Sequence, residues 1–327
     1  MPDVICLGEL LIDFVSTRKG QGLADSPGFA KKPGGAPANV AVGLAKLGIP
    51  SAFVGKVGND AFGRFLRDTL AAEGVDVSHL AATDAARTTL AFVALTRDGA
   101  PDFTFYRNPG ADMLLCEADI VPAYHRKARA LHFGSISLAD PGPKAATLKA
   151  IRIARESGQL ISYDPNYRPA LWRSAAAARR EMLAGFRHAD VAKVSDQEWE
   201  FITRTSDLDR GSRALLKRGV KLVVVSRGAA GCYFHTRAAT GYLPAYKVKV
   251  AETTGAGDGF VAALLSGLLA EVKGPADIAR IPAERLAEIC DFANAVGALT
   301  CTKVGAIPAL PTRSQALRFW RARRRLA

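Results

Sequence analysis

Short apolar runs alternate with longer amphipathic ones along this chain. The runs at 4–7, 52–57, 130–133, 160–163, 191–194 and 221–226 read as strands. Between them the spacing of apolar residues predicts helices over 38–47, 62–73, 145–156, 175–186 and 209–218. Leu222, Val223, Val224 and Val225 are apolar on both faces, as in a strand covered by helices on each side. Strands alternating with helices in this way predict a parallel sheet inside an α/β/α sandwich.

One stretch breaks the alternation. Residues 88–95 and 102–107 are strand-like and separated by Arg97-Asp98-Gly99-Ala100-Pro101, which reads as a hairpin. Leu90, Phe92 and Ala94 share one face of the first run, and Phe103, Phe105 and Arg107 share one face of the second. Such a hairpin cannot easily extend a parallel sheet. It predicts a small second sheet that covers a site or meets another subunit, interleaved with the core in a single domain over 1–327.

Composition narrows the functional classes. The 327 residues are 49% hydrophobic and 23% charged, which is ordinary for a globular chain. No apolar run approaches the length that crosses a bilayer, so no membrane association is expected. The first residues turn apolar at once but include Glu9 and Asp13 and lack a basic lead, which predicts a buried first strand and not a signal peptide. The cysteines Cys6, Cys116, Cys232, Cys290 and Cys301 are scattered, as expected for free thiols in a cytoplasmic protein. The five histidines show no metal-ligand spacing. The net charge of +13 is concentrated partly in the tail, where Arg313, Arg318, Arg321, Arg323, Arg324 and Arg325 have no acid between them. No nucleic-acid reading motif accompanies that charge, so a basic surface that also favours an anionic nucleotide accounts for it.

The strongest chemical signal is Glu252-Thr-Thr-Gly-Ala-Gly-Asp-Gly259, followed by an apolar helix-like stretch over 260–269. Glycines there permit a tight turn that brings several N–H groups together at a helix start, where the helix dipole favours an anion. Asp258 sits at the same point. An aspartate there is also a good helix cap. The flanking glycines and the preceding threonine pair go beyond what a cap needs. An anion hole beside a carboxylate suits phosphoryl transfer to an alcohol. Neither a P-loop nor a complete dinucleotide fingerprint occurs. A second signal is Pro33-Gly-Gly-Ala-Pro-Ala-Asn-Val40. Gly34 and Gly35 allow close backbone approach to a ligand, and Asn39 offers a donor and an acceptor at a helix start. Asp13, read as the end of the first strand, would bracket the hydroxyls of a polyol together with Asn39.

These two motifs, GGAPANVAVGLAKLG and TTGAGDGFVAALLSG, resemble the paired signatures of the ribokinase-like (PfkB) carbohydrate kinases. Within that family the chain is most similar to the fructokinases, through GELLIDF, GKVGNDAFG, FYRNPGADMLL, HFGSISL, SYDPNYRPALW, KVSDQEWE, SRGAAGC and CTKVGAIPALPT. The resemblance implies a three-layer α/β/α sandwich with a small β-sheet lid contributed by about 28–33 and 88–107. It implies ATP as phosphate donor, Mg²⁺ as cofactor, a sugar as acceptor and a homodimer. Asp258 matches the catalytic base, and the backbone of Gly255, Ala256, Gly257 and Asp258 the anion hole. Asp13, Gly34, Gly35, Asn39, Phe92, Phe105, Arg107 and Arg168 match sugar-binding positions. Lys193, Ser195, Ser226, Gly228, Gly231 and Asn294 match positions around the nucleotide. Glu198 matches the acid that organises Mg²⁺ through water, and Glu252 and Thr254 stand where many members hold a monovalent cation such as K⁺.

The chain departs from the family at two places. Glu252 stands where Asp is usual, and the family's NxxE motif appears as Ser195-Asp-Gln-Glu198. Arg107 and Arg168 also suit a carboxylate, which keeps a 2-keto-3-deoxygluconate kinase as the alternative to a fructokinase. A catalytically silent scaffold is the alternative of another class, and it would be expected to lose the base or the glycines.

Overall fold

The computed structural model describes residues 1–18, 20–95 and 101–324. Among these, the strands form two sheets. The larger has nine strands: β1 (Val4–Leu7), β4 (Ser51–Gly58), β5 (Leu80–Thr83), β8 (Ala130–Gly134), β9 (Leu160–Asp164), β10 (Val191–Ser195), β11 (Leu222–Ser226), β12 (Cys232–His235) and β13 (Thr240–Leu243). Their order is β13-β12-β11-β10-β9-β8-β1-β4-β5. All neighbours from β11 to β5 run parallel, while β11–β12 and β12–β13 are antiparallel.

Alternation along each strand divides the core into two halves. Val4 and Cys6 face one side of the sheet with Leu222 and Val224. Ile5 and Leu7 face the other with Val223 and Val225. The first half packs against helices Ala36–Lys46, Ala256–Glu271 and Ala283–Thr300; the second packs against Pro141–Glu156, Ala175–Phe186, Asp196–Thr203 and Leu208–Leu216. This is the three-layer sandwich expected from the sequence. The Ala256–Glu271 helix lies between Ala36–Lys46 and Ala283–Thr300. Helices on either side explain why it is apolar almost all round.

The second sheet has the order β3-β2-β6-β7, from β2 (Leu11–Ser16), β3 (Phe29–Gly34), β6 (Leu90–Leu95) and β7 (Pro101–Tyr106). Asp13 therefore lies inside β2, within the lid, and not at the end of the first strand. Only Gly8, Glu9 and Leu10 separate the core strand β1 from β2. The turn expected at 97–101 falls largely outside the described residues, as does Arg325. Pro101 opens β7.

Candidate active site

The site forms where two helix N-termini, the lid sheet and the carboxyl ends of core strands converge. Gly255 caps the Ala256–Glu271 helix in the left-handed region (φ 80°), and no side chain caps it. A Cβ at Gly255 would lie 2.8 Å from Cβ of Ala306, so both the turn and the packing require glycine. Asp258 is thus in the first turn and not the cap. Ala256 donates its N–H to the Thr253 carbonyl at 3.2 Å. The N–H groups of Gly257 and Asp258 have no helical carbonyl behind them.

The Asp258 carboxylate is 7% exposed. Its Oδ2 accepts from Asn39 Nδ2 at 2.8 Å. Burial raises its pKa, against the Asn39 amide, the charges of Lys193 and Arg168, and a hydrogen bond from Asn166. Asn39 sits in the first turn of the Ala36–Lys46 helix, whose cap is Gly35 at φ 115°. A Cβ at Gly35 would run into the Glu9 carbonyl, and Glu9 Oε1 accepts from Ala36 N–H at 3.1 Å. The Gly34-Gly35 turn is therefore clamped onto the β1–β2 connection, which fixes where Asn39 points. Asn39 Oδ1 is buried without a partner among the described residues, an acceptor left beside the carboxylate.

The lid brings Asp13 and Phe105 to this site. Pairing in register puts Lys32, Asp13, Ala91 and Phe105 side by side on one face of the lid. Asp13 is raised to about 6 by burial, against the nearby charges of Arg168 and Lys32, with Glu252 adding to the rise. Arg168 is exposed and, among the described residues, bonds only to its own loop, to Tyr167 O at 3.2 Å and Asn166 Oδ1 at 3.1 Å.

Two expected sugar contacts lie elsewhere. Phe92 is on the opposite lid face from Asp13, stacked on Phe14 with ring centroids 5.0 Å apart and edge-on to Phe29 and Tyr106. The period-2 alternation had put Phe92 and Phe105 on their faces correctly within each strand; the register between strands separates them. Arg107 follows β7 and is 8% exposed, with Nε donating to Asp112 at 2.8 Å and Nη1 to Asp140 at 3.0 Å. Despite the cost of burial, these carboxylates raise its pKa further. Its charge is spent within the protein.

On the core side, Lys193 Nζ donates to Asp164 Oδ2 at 3.0 Å, with both side chains buried. A Cβ at Gly257 would lie 2.9 Å from that same Nζ, which places the ammonium directly against the first turn of the Ala256–Glu271 helix. Lys193 therefore stands against the glycine turn as well as beside Asp164. Burial drives the Asp164 carboxyl upward, and Lys193 opposes it. Asp164 Oδ1 has no partner among the described residues. Glu198 accepts from Ser195 N–H at 2.9 Å and from Tyr167 N–H at 2.8 Å, joining the Asp196–Thr203 helix to the loop after β9. Ser195 and Ser226 are register partners at the ends of β10 and β11. Gly228 and Gly231 form the turn after β11, and Asn294, on the Ala283–Thr300 helix, donates its Nδ2 to Pro244 O just after β13 at 3.2 Å.

Glu252 leads into the glycine turn. Its Oε2 accepts from Gly305 N–H at 2.7 Å and lies 3.4 Å from Lys32 Nζ. Despite burial, Thr254, Gly305 and Lys32 lower its pKa.

Sequence reasoning missed Lys32, Asp164 and Asn166 as members of the site. Asn166 carried a signal, since an asparagine inside a turn readily takes φ > 0, and here it sits at φ 50° near enough to Asp258 to lower its pKa. Lys32 carried none, because its role depends on which lid face its strand presents.

A family model for pfkB family carbohydrate kinases matches residues 1–313. Fructokinase-2 of Solanum habrochaites is 47% identical over 315 residues, covering 96% of this chain and 94% of that one. Among solved structures, a fructokinase from Xylella fastidiosa with bound ATP superposes with a TM-score of 0.90 at 34% identity, covering 99% of this chain and 100% of that one. A double mutant of the fructokinase from Vibrio cholerae O395, bound to fructose, ADP and a potassium ion, has a TM-score of 0.85 at 35% identity, with 98% of each chain covered. With a sandwich core, a separate lid sheet and a match across nearly its whole length, the chain belongs to the pfkB family of carbohydrate kinases and is a phosphotransferase that acts on a sugar hydroxyl.

Proposed function

We propose that this protein transfers the γ-phosphate of ATP to the 6-hydroxyl of fructose, with Asp258 as the general base. The observation that carries the reading is Asp258 itself. It is a buried carboxylate of raised pKa in the first turn of a helix, with the Lys193 ammonium facing the adjacent glycine. Fructose bound under the lid would present a hydroxyl to Asp258, while Asp13 and the unpartnered Asn39 Oδ1 accept from other hydroxyls and Phe105 excludes water. Asp258 takes the hydroxyl proton as the oxygen attacks in line. The backbone N–H groups of Gly255, Gly257 and Asp258, with Lys193, hold the charge on the transferring phosphoryl group, while that of Ala256 is engaged by Thr253 O. Lys193, Ser195, Ser226, Gly228, Gly231 and Asn294 line the nucleotide side in this reading.

The residues present fit Mg²⁺. Among the described residues no group of three His, Cys, Asp or Glu side chains forms a metal cage. Mg²⁺ typically needs none, being held by substrate phosphates, waters and one or two carboxylates. Asp164, through its unpartnered Oδ1, and Glu198 are the residues that would hold its waters. When bound, the ion neutralises charge on the β- and γ-phosphates. A monovalent cation would meet Glu252 and Thr254, but Lys32 already supplies positive charge there, which argues for weak dependence on K⁺.

The engagement of Arg107 by Asp112 and Asp140 favours a neutral sugar over 2-keto-3-deoxygluconate, because it leaves only one of the two arginines to meet a carboxylate. The intact base and glycine turn speak against a silent scaffold. A homodimer joined through the lids is supported by Phe103 and Tyr106, 43% and 64% exposed on β7, and the scattered cysteines favour a cytoplasmic location.

The test is ADP release with ATP·Mg²⁺ across fructose, glucose, ribose and 2-keto-3-deoxygluconate, with the phosphorylated carbon identified. Turnover confined to fructose, giving the 6-phosphate, is expected. Turnover mainly on the keto acid would overturn the sugar assignment. Silence of the folded protein on every sugar would overturn the chemistry.

A further inference from the structure

We infer that Lys32 is a positioning residue for phosphoryl transfer, tying the lid to the loop that builds the anion hole. The inference rests on the kinase reading above and names a group that reading does not require. Lys32 is on β3, on the same lid face as Asp13 and directly opposite it in register. Its ammonium reaches across to Glu252, 220 residues further along the chain, and both side chains are largely shielded, at 21% and 24% exposure.

Glu252 is a junction. Its carboxylate binds the Gly305 N–H, and the residues beside it dock on the same segment: Ala251 N–H donates to Cys301 O at 2.8 Å and Gly255 packs against Ala306. The loop from 251 to 255 is therefore held by the chain that follows the Ala283–Thr300 helix, and Gly255, Gly257 and Asp258 follow directly. Lys32 is the contribution of the lid to that junction, and its stem also lies 3.7 Å from a Cβ built at Gly305. A shielded pair of this kind responds to its surroundings more strongly than an exposed one, because solvent screens it less.

The consequence is a coupling. Lys32 approaches Glu252 only while β3 lies over the site, and β3 is paired along its whole length with the strand that carries Asp13. Binding a sugar hydroxyl at Asp13 therefore favours the lid position that neutralises Glu252 and steadies the turn at Gly255. By linkage, an anion at the turn favours the same lid position. Phosphate transfer is thereby matched to an occupied sugar site.

The test uses the full chain and four variants: Lys32→Met, Lys32→Arg, Glu252→Gln and the Lys32→Met/Glu252→Gln double. Each is assayed for fructose phosphorylation, ATP hydrolysis without sugar, and thermal unfolding. For Lys32→Met, kcat is expected to fall about five- to thirty-fold, the range of an ordinary coupling, with the KM for ATP within about twofold. Lys32→Arg should recover most of the loss, and the double variant should be no worse than the worse single, as for two residues acting through one contact. Wild-type kcat in Lys32→Met, losses that multiply in the double, or a kcat that merely tracks the folded fraction would each overturn the inference. A wild-type protein inactive on every sugar would overturn the kinase reading instead, so the two failures are distinct.

Discussion

Asn39 donates its side-chain amide to the Asp258 carboxylate at 2.8 Å, joining residues 219 apart in sequence. The contact brings two helix N-termini together, that of Ala36–Lys46 and that of Ala256–Glu271. It also leaves Asn39 Oδ1 buried beside the carboxylate, with no partner among the described residues. In the proposed mechanism this one amide orients the base and offers an acceptor to a substrate hydroxyl.

Asn39→Ala is expected to lower kcat for fructose by about ten- to a hundredfold, the worth of a hydrogen bond to a charged group. Because the amide holds the Asp258 pKa down, its loss should also move the acid limb of the kcat profile to higher pH. Steady-state kinetics across pH checks both. An unshifted acid limb would mean that Asn39 does not act on the base.

In the proposed site, Asp13 would set the pH dependence of sugar capture. Burial raises its pKa to about 6, so its carboxylate is present above that value and takes a proton as pH falls through it. Only the ionised form can accept hydrogen bonds at both oxygens. The kcat/KM for fructose should therefore decline as pH drops through about 6, and Asp13→Asn should flatten this limb while raising KM. A kcat/KM that stays level down to pH 5 would remove Asp13 from sugar recognition.

The two lid phenylalanines are expected to behave differently. Phe105→Ala opens the face that carries Asp13, so the KM for fructose and sugar-independent ATP hydrolysis should both rise. Phe92→Ala removes a ring from the cluster with Phe14, Phe29 and Tyr106, and should cost about 1–3 kcal/mol of stability with kinetics nearly unchanged. Fructose titrations and thermal unfolding of the two variants separate these outcomes. A raised KM in Phe92→Ala with Phe105→Ala unaffected would mean that the lid presents its other face to the sugar.

Much of the core was legible because its signals are local. Strands such as Leu222–Ser226 are short, branched and apolar on both faces, and no other element accounts for that pattern. Helix starts were marked by the glycines themselves. The lid was only half legible. Its hairpin was visible in the alternation of 88–107, but β2 follows β1 after three residues and reads as one continuous apolar run, which is why Asp13 looked like the end of the first strand. Face assignments between strands depend on register, which pairing decides and periodicity within one strand does not. Arg107 was read as a pocket residue from its neighbours Phe105 and Tyr106; the carboxylates that claim it, Asp112 and Asp140, become adjacent only in the fold. The pairing of Lys32 with Glu252 was out of reach for the same reason.

The most direct test of the account is the chemical step in Asp258→Asn, measured by single-turnover phosphorylation of fructose at saturating ATP·Mg²⁺. The amide preserves the shape of the side chain but cannot take the hydroxyl proton. The expected result is a rate lowered by about 10²–10⁴-fold, the contribution of a general base, with fructose affinity nearly unchanged. A variant that phosphorylates fructose at close to the wild-type rate would contradict the role of Asp258 and with it the mechanism built around it.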